Sequence, residues 1–390
     1  MPRILLVRGQ LVTPWELGPW RELEERFEVS YLLTRSNRYQ PPEGLRDVPV
    51  RARRDLLPRG RIGDVAVALL GDGYLMADGV FAGADIVHAE ELSFWFSAEA
   101  AKRKRRHGFR LVQTVWETLP HLVTYRNRHA RRYRQLVLAE TDLFLPATRR
   151  AADALRLEGV EEERMLVLAP GINTERFGAV EPLGAPSSHT ILSPGRLVWE
   201  KGHQDVLRAL VALHRGLVLP PGCEVTRPRL LIVGSGPERQ RLQSYAAELG
   251  LEDAVEFQSL GYEEMPRAFA TASAMVLASQ PAASASYHPF DLPRAFWEEQ
   301  FGLVLAEAMA AGLAIVATTN GAIPEVLEGA SADLVAPGDW MGMARALAAG
   351  PLARAPGERI PQPPAVIDRY SNREAARRLA GAYDRLLAGA

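Results

Sequence analysis

The sequence predicts an α/β protein of two doubly wound, parallel-sheet domains that face each other across a cleft. Three observations carry this. The 390-residue chain exceeds one ordinary core and suits two domains of roughly 150–200 residues each. Short apolar runs alternate with helical stretches, and the alternation restarts after a Pro/Gly/Ser-rich segment near the middle. The runs are continuous, as in strands buried on both faces.

In the first half the runs are Arg3–Val7, Val29–Leu33, Asp85–His88, Arg110–Val115, Asp142–Leu145 and Met165–Leu168, with helices predicted at Ala98–His107 and Arg128–Ala139. Phe177–Ser188 (FGAVEPLGAPSS) reads as the linker. The pattern resumes with Thr190–Ser193, Arg229–Val233, Ala254–Phe257, Ala274–Ala278, Ala314–Ala317 and Asp333–Val335. Helices fall between them at His203–Arg215, Glu238–Leu249, Glu263–Thr271 and Leu303–Ala311. A proline-rich stretch precedes a terminal helix, Asn372–Leu387. The expected division is a first domain at 1–178, a second at 186–365, and a segment at 366–390 that packs back toward the first.

Composition excludes several classes. With 47% hydrophobic and 24% charged residues the chain is globular rather than disordered or fibrous. A net charge of −1, from 46 basic and 47 acidic residues, offers no global attraction for nucleic acid. A single cysteine, Cys223, excludes an internal disulfide framework and a cysteine-rich zinc site. The eight histidines lack zinc-like spacing. Met1–Val7 is too short for a signal segment, and the longest apolar stretch, Leu303–Ala317, contains Glu307. A cytoplasmic protein is expected.

Ligands of such sheets bind beyond the carboxyl ends of the strands, so the informative motifs should lie on the loops that follow them. The first is Pro194-Gly195-Arg196-Leu197-Val198-Trp199-Glu200-Lys201-Gly202. Gly195 permits close backbone approach, and Arg196 and Lys201 place two cations near a helix N-terminus, a setting for a diphosphate. Its spacing is not that of a Walker A loop. Only three of the 46 basic residues are lysines, and Lys201 is one of them. The second motif, Gly234-Ser235-Gly236, imitates a dinucleotide fingerprint but has Arg239 at the third glycine position, leaving a tight packing turn or a nucleotide contact.

The third is Glu299-Gln300-Phe301-Gly302-Leu303-Val304-Leu305-Ala306-Glu307. Two glutamates bracket a loop that becomes a helix, about 12 Å apart or more at helical rise. Carboxylates accept from hydroxyls, and the amides near Gly302 and Leu303 can donate to phosphate, so the span suits a nucleotide sugar.

With these residues in view the chain resembles the retaining glycosyltransferases of GT-B fold in glycosyltransferase family four, the group-one family. Ala169-Pro170-Gly171-Ile172-Asn173 with Phe177, Gly261-Tyr262 and Gly321-Ala322-Ile323-Pro324-Glu325 extend the likeness. The resemblance implies two Rossmann-like domains and a nucleotide-diphosphate sugar as co-substrate, with no separate cofactor. It implies that Arg196 and Lys201 hold the diphosphate, Glu299 the transferred sugar and Glu307 the ribose. The amides of Phe301, Gly302, Leu303 and Val304 would contact sugar and phosphate, with Gly261-Tyr262 near the base. Gly195 and Gly234 complete the donor-binding set; Arg196, Lys201 and Glu299 are the residues implied in catalysis. Retention follows from the family alone.

The chain departs from the family in three places. The first strand–helix turn reads Arg8-Gly9-Gln10-Leu11-Val12-Thr13-Pro14 instead of a glycine-rich turn. Where many relatives carry a histidine after the strand ending Gln113-Thr114-Val115, this chain has Trp116-Glu117, with His121 further on; these are the candidates on the acceptor side. A long Ala/Ser/Pro loop, Gln280–Glu298, precedes Glu299.

No Asp-x-Asp occurs, so no metal is expected. Basic helices at Lys102–Arg106 and Arg128–Arg134 are either solvated faces or a contact for an anionic membrane or phosphorylated acceptor. The acceptor itself, bearing a hydroxyl, is unidentified. Two rival readings are a nucleotide-sugar epimerase of the same fold and a non-catalytic nucleotide-sugar-binding protein.

Overall fold

β1 (Arg3–Leu6) shows why its run is apolar after the exposed Arg3. Leu5 and neighbouring Val7 enter one core with Phe81 and Phe96, while Ile4 and Leu6 enter another with Trp20 and Tyr383. Successive side chains point to opposite faces, so a strand covered on both sides must be apolar at every position.

The computed structural model describes residues 1–58, 60–122, 128–179, 187–218, 227–284 and 295–389. Cys223, most of the Phe177–Ser188 linker and most of the Gln280–Glu298 loop lie outside these residues.

Met1–Ile172 with Ser371–Ala390 belong to one unit. Its seven-stranded sheet has the order β4-β3-β2-β1-β5-β6-β7. Besides β1, the strands are β2 (Glu28–Thr34), β3 (Arg46–Ala52), β4 (Tyr74–Leu75), β5 (Ile86–Glu90), β6 (Arg110–Val115) and β7 (Leu143–Pro146). All pairs are parallel except β3–β4. The strand order reverses between β1 and β5. Helices α1 (Trp95–His107), α2 (Arg128–Glu140) and α3 (Arg149–Leu157) follow β5, β6 and β7.

Asn173–Ser284 and Trp297–Tyr370 form the other unit. It opens with α4 (Thr174–Gly178), which packs on the later helices of this unit, whereas the sequence reading ended the first domain at 178. Its six-stranded sheet is entirely parallel, in the order β10-β9-β8-β11-β14-β15. The strands are β8 (Thr190–Pro194), β9 (Arg229–Val233), β10 (Val255–Gln258), β11 (Ala274–Leu277), β14 (Ala314–Thr318) and β15 (Ala332–Val335). A separate two-stranded pair consists of β12 (Ala282–Ser284) and β13 (Ala295–Trp297). Here the order reverses between β8 and β11, in register Ala274 to Ile191. The helices are α5 (His203–His214), α6 (Arg239–Glu248), α7 (Met265–Thr271), α8 (Leu303–Ala310) and α9 (Trp340–Ala349).

The last helix, α10 (Asn372–Ala388), completes the first unit. Ser371 caps it by accepting from the Glu374 amide at 3.1 Å. Ala376, Leu379, Ala380 and Tyr383 then fall on one face and enter the core beside Ile4 and Leu6.

Two sequence expectations need correction. Met165–Leu168 is not a strand: it makes one bridge to Phe144, with amides of Leu166 and Leu168 donating to β7 carbonyls. A short segment bonded through alternate residues satisfies its backbone without a ladder. Conversely, β3 was not predicted, because Arg46-Asp47-Val48-Pro49-Val50-Arg51-Ala52 carries charges and a proline. It lies toward the sheet edge, where only Val50 and Ala52 are buried, so apolar continuity is not required.

Candidate functional site

The β8/β11 reversal point is where a doubly wound sheet opens a crevice beyond its strand ends. The Gly195–Gly202 loop leaves β8 there. Gly195 still donates its amide to Val233 at 2.9 Å, so the loop starts inside the ladder. A short turn, Trp199–Lys201, ends at Gly202 with φ 71°. A Cβ on Gly202 would lie 1.8 Å from the Ala278 carbonyl oxygen, so only glycine lets this loop press against the end of β11.

That contact brings Lys201 to Glu299. Nζ donates to Oε2 at 2.6 Å, with the two side chains 13% and 7% exposed. Lys201 also lies 5.0 Å from the Trp297 ring centroid, within cation–π range. Glu299 is held from further sides. Ser279 Oγ donates to the same Oε2 at 2.7 Å, and the Glu299 amide donates to Asn320 Oδ1 at 2.7 Å. Its carbonyl accepts from Ala322 at 2.8 Å.

His203, the first residue of α5, braces the loop from below. Burial holds its pKa down to about 4, so the ring is neutral. The Arg196 carbonyl can only accept, so Nε2–H donates to it at 3.2 Å, and Nδ1 accepts from Ser193 Oγ at 2.8 Å. Arg196 itself stands exposed on the loop.

Gly234 and Gly236 act as a packing turn. A Cβ on either would lie about 2 Å from the carbonyl oxygen of Gly195 or Leu197, at 1.9 and 2.3 Å respectively. Two strand-end loops are thus laid directly on one another.

Gly302, with φ 78°, is the N-cap of α8, and no side chain caps the helix there. Its first amides are the type of anion site anticipated for Phe301–Val304. The Phe301 ring is buried edge-on against Tyr370, with centroids 5.5 Å apart, so Phe301 contributes its backbone only. Glu307 is 7% exposed, and its carboxyl has no hydrogen-bond partner among the described residues. Burial raises its pKa to about 7, opposed by the Arg176 charge. Arg176, on α4, donates to the Tyr262 carbonyl at 3.1 Å, pairs with Glu263 at 2.8 Å and covers the Tyr262 ring at 4.6 Å. Gly261 donates its amide to Glu264 at 2.8 Å, fixing the start of that turn.

The structure therefore joins Lys201 with Glu299, and Arg176 with Tyr262 and Glu263, the Arg176 charge reaching Glu307 without a hydrogen bond. Sequence reasoning missed Arg176, Ser279, Asn320 and Trp297. The signal for Arg176 was at hand: Asn173 in the quoted Ala169–Phe177 run caps α4, accepting from the Arg176 amide at 3.0 Å.

In the first unit, Trp116 donates its amide to Glu91 at 2.7 Å and Nε1 to Glu90 at 2.6 Å. Arg8 pairs with Glu90 at 3.2 Å and lies over Trp20 at 5.4 Å. Burial, with neighbouring carboxylates second, raises Glu91 and Glu16 to about 8. Glu117 turns to the amides of Thr118 and Leu119 at 3.0 and 2.9 Å. His121 instead reaches the carbonyl of Leu157, the last residue of α3, at 3.1 Å. Glu90, the last residue of the buried strand β5, and Glu91, directly after it, were unremarked in the sequence. In Lys102–Arg106 every cation has a carboxylate partner: Glu99, Asp78, Asp142 or Glu140. No helix among the described residues is long and apolar enough to cross a membrane.

Two family models match this chain: Glycosyltransferase Family 4 over residues 21–176 and Glycosyl transferases group 1 over 181–349. The chain belongs to the group-one glycosyltransferases.

Among curated relatives, this group-one member is 30% identical over 229 residues to the D-inositol 3-phosphate glycosyltransferase of Streptomyces avermitilis, covering 55% of this chain and 45% of that one. It is 30% identical over 178 residues to the GDP-mannose-dependent alpha-(1-6)-phosphatidylinositol monomannoside mannosyltransferase of Mycolicibacterium smegmatis, covering 43% and 42%. The matched region spans about half the length of these relatives. The fold is also that of Anabaena HepE, solved in complex with UDP and glucose: TM-score 0.72, 16% identity, 99% and 100% covered. The UDP-GlcNAc 2-epimerase of Methanocaldococcus jannaschii shares it at TM-score 0.59, with 12% identity and 99% and 100% covered. Both halves are thus those of a GT-B glycosyltransferase fold.

Proposed function

We propose that this chain transfers a sugar, a hexose in the first instance, from a nucleotide-diphosphate donor to an acceptor hydroxyl, with retention of configuration and without a metal ion. The observation that carries the reading is the gathering of Lys201 and Glu299 at the β8/β11 reversal point, in a chain whose uncapped α8 N-terminus leads to the unpartnered Glu307. Lys201, Arg196 and the amides of Phe301–Val304 face the departing diphosphate and stabilise its developing charge. Glu299, held by Lys201 and Ser279, accepts from a sugar hydroxyl. Glu307 accepts from the ribose, with Tyr262 beside the base.

Retention rests on the family. In its front-face route the leaving phosphate takes the acceptor proton, so no protein base is required. Positive charge from Arg196 and Lys201 stands where a metal would otherwise neutralise the diphosphate. Trp116 and Glu117 are assigned to the acceptor side, and the single cysteine fits work in the cytoplasm.

A thermal-shift screen of nucleotide sugars identifies the donor, because a ligand that binds the native state raises the melting temperature. The matching sugar is then incubated alone and with hydroxyl acceptors. Transfer to an acceptor supports the reading. Conversion of the sugar without acceptor makes the chain an epimerase, and binding without transfer or hydrolysis makes it a non-catalytic receptor.

A further inference from the structure

We propose that the first unit holds a phosphate-bearing ligand in a pocket beyond the carboxyl ends of β1, β2 and β3. The cavity measures about 680 Å³, within the ~300–1,000 Å³ of small-molecule sites. Gln10, Arg35, Ser36, Asn37, Arg38 and Arg54 line it.

The walls are built rather than loose. Asn37 both accepts from the Val12 amide and donates to its carbonyl, each at 3.0 Å. Arg38 donates its amide to Gln10 at 3.0 Å, and Thr34 its hydroxyl to Gly9 at 3.2 Å. The turn after β2 is therefore tied to the turn after β1, and its side chains are presented by a braced scaffold.

Its charges are unevenly committed. The two carboxylates in the lining are already occupied: Asp55 accepts from the amides of Ser36 and Ala52 at 2.7 and 2.8 Å, and Asp64 pairs with Arg54 at 3.1 Å. Arg35 and Arg38 have no ion-pair partner among the described residues. The contrast with Lys102–Arg106, where carboxylates neutralise each cation, marks the pocket as an anion-seeking surface. Two guanidinium forks with a hydroxyl and an amide alongside suit phosphate, whose oxygens take paired N–H donors. The ligand is the acceptor only insofar as the transfer reading holds; the pocket itself does not depend on it.

Calorimetry on the full chain with glucose 6-phosphate, glucose and inorganic phosphate tests this. Sedimentation with phosphatidylcholine vesicles, with and without phosphatidic acid, covers a lipid-borne phosphate. The variants are Arg35→Gln/Arg38→Gln and, as a control in the neutralised basic run, Arg105→Gln, whose side chain is 83% exposed. The exposed, unpaired arginines make the double variant's melting temperature unchanged. Glucose 6-phosphate or the phosphatidic acid vesicles should bind, more weakly as salt rises, and at least about tenfold more weakly to the double variant. Glucose should not bind, and Arg105→Gln should bind as the wild type does. Equal affinity of wild type and double variant, an equal loss in Arg105→Gln, or no binding from either source would overturn the proposal. Nucleotide-sugar turnover is scored separately: phosphate binding without turnover of any donor keeps the pocket and refutes the transfer reading.

Discussion

Lys201 and Glu299, 98 residues apart, form one buried ion pair with Nζ and Oε2 2.6 Å apart. The cation and carboxylate assigned to different parts of the donor thus hold each other, and neither can be altered alone without stranding its partner. Lys201→Ala and Glu299→Ala should each destabilise the protein by about 3–5 kcal/mol, and the double variant by much less than their sum. Denaturant unfolding of the three variants checks this; additive losses would show that the pair is not coupled.

Replacing Lys201 with arginine keeps the charge and changes its shape. The ammonium sits between Glu299 and the Trp297 ring with 13% of its side chain exposed, leaving little room for a planar fork. Lys201→Arg should lose at least about tenfold in kcat/KM, roughly 1.4 kcal/mol of transition-state stabilisation. Near-normal kinetics in a folded variant would mean that charge alone matters.

Glu307 should couple pH to both stability and donor affinity. Its pKa is near 4.5 unfolded and about 7 folded, because burial disfavours the carboxylate. Between these values the unfolded chain has released a proton that the folded chain keeps, so stability falls as pH rises from about 4.5 to 7 and is level beyond. The contribution is about 3 kcal/mol. Glu307→Gln should remove this slope when unfolding is followed against pH. Nucleoside diphosphate should bind the wild type more tightly as pH rises through about 7, as the carboxylate becomes available to the ribose; a pH-independent affinity would contradict that role.

The two glutamates should divide binding from turnover. Glu307→Ala should weaken nucleoside diphosphate binding by roughly 1–3 kcal/mol through the lost hydrogen bond. Glu299→Ala should depress turnover more than nucleotide affinity. Equal calorimetric losses for both would defeat this assignment.

Chelation should leave transfer intact if, as proposed, Arg196 and Lys201 supply the positive charge at the diphosphate. Loss of activity in EDTA that Mn²⁺ or Mg²⁺ restores would show that they do not suffice.

Local patterns were legible where one physical demand governs each residue. The strands of both sheet centres are mostly apolar because both faces are covered, and α10 shows its core face at Ala376, Leu379, Ala380 and Tyr383. Strand β3, next to the sheet edge, escaped because partial exposure lets charges and a proline remain. Glycine signals were half legible: Gly234 and Gly236 mark a turn, while what they make room for, the carbonyls of Gly195 and Leu197, lies elsewhere in the chain.

By itself the sequence determined the two α/β halves and the loops that carry the motifs, because side-chain periodicity and glycine's backbone freedom act over a few neighbouring residues. The tertiary structure decided which charges meet. It paired Lys201 with Glu299, set Arg176 against Tyr262, neutralised Lys102–Arg106 and left Arg35 and Arg38 open. Burial and Coulomb attraction depend on distances between side chains far apart in the sequence, and those distances exist only once the chain has folded.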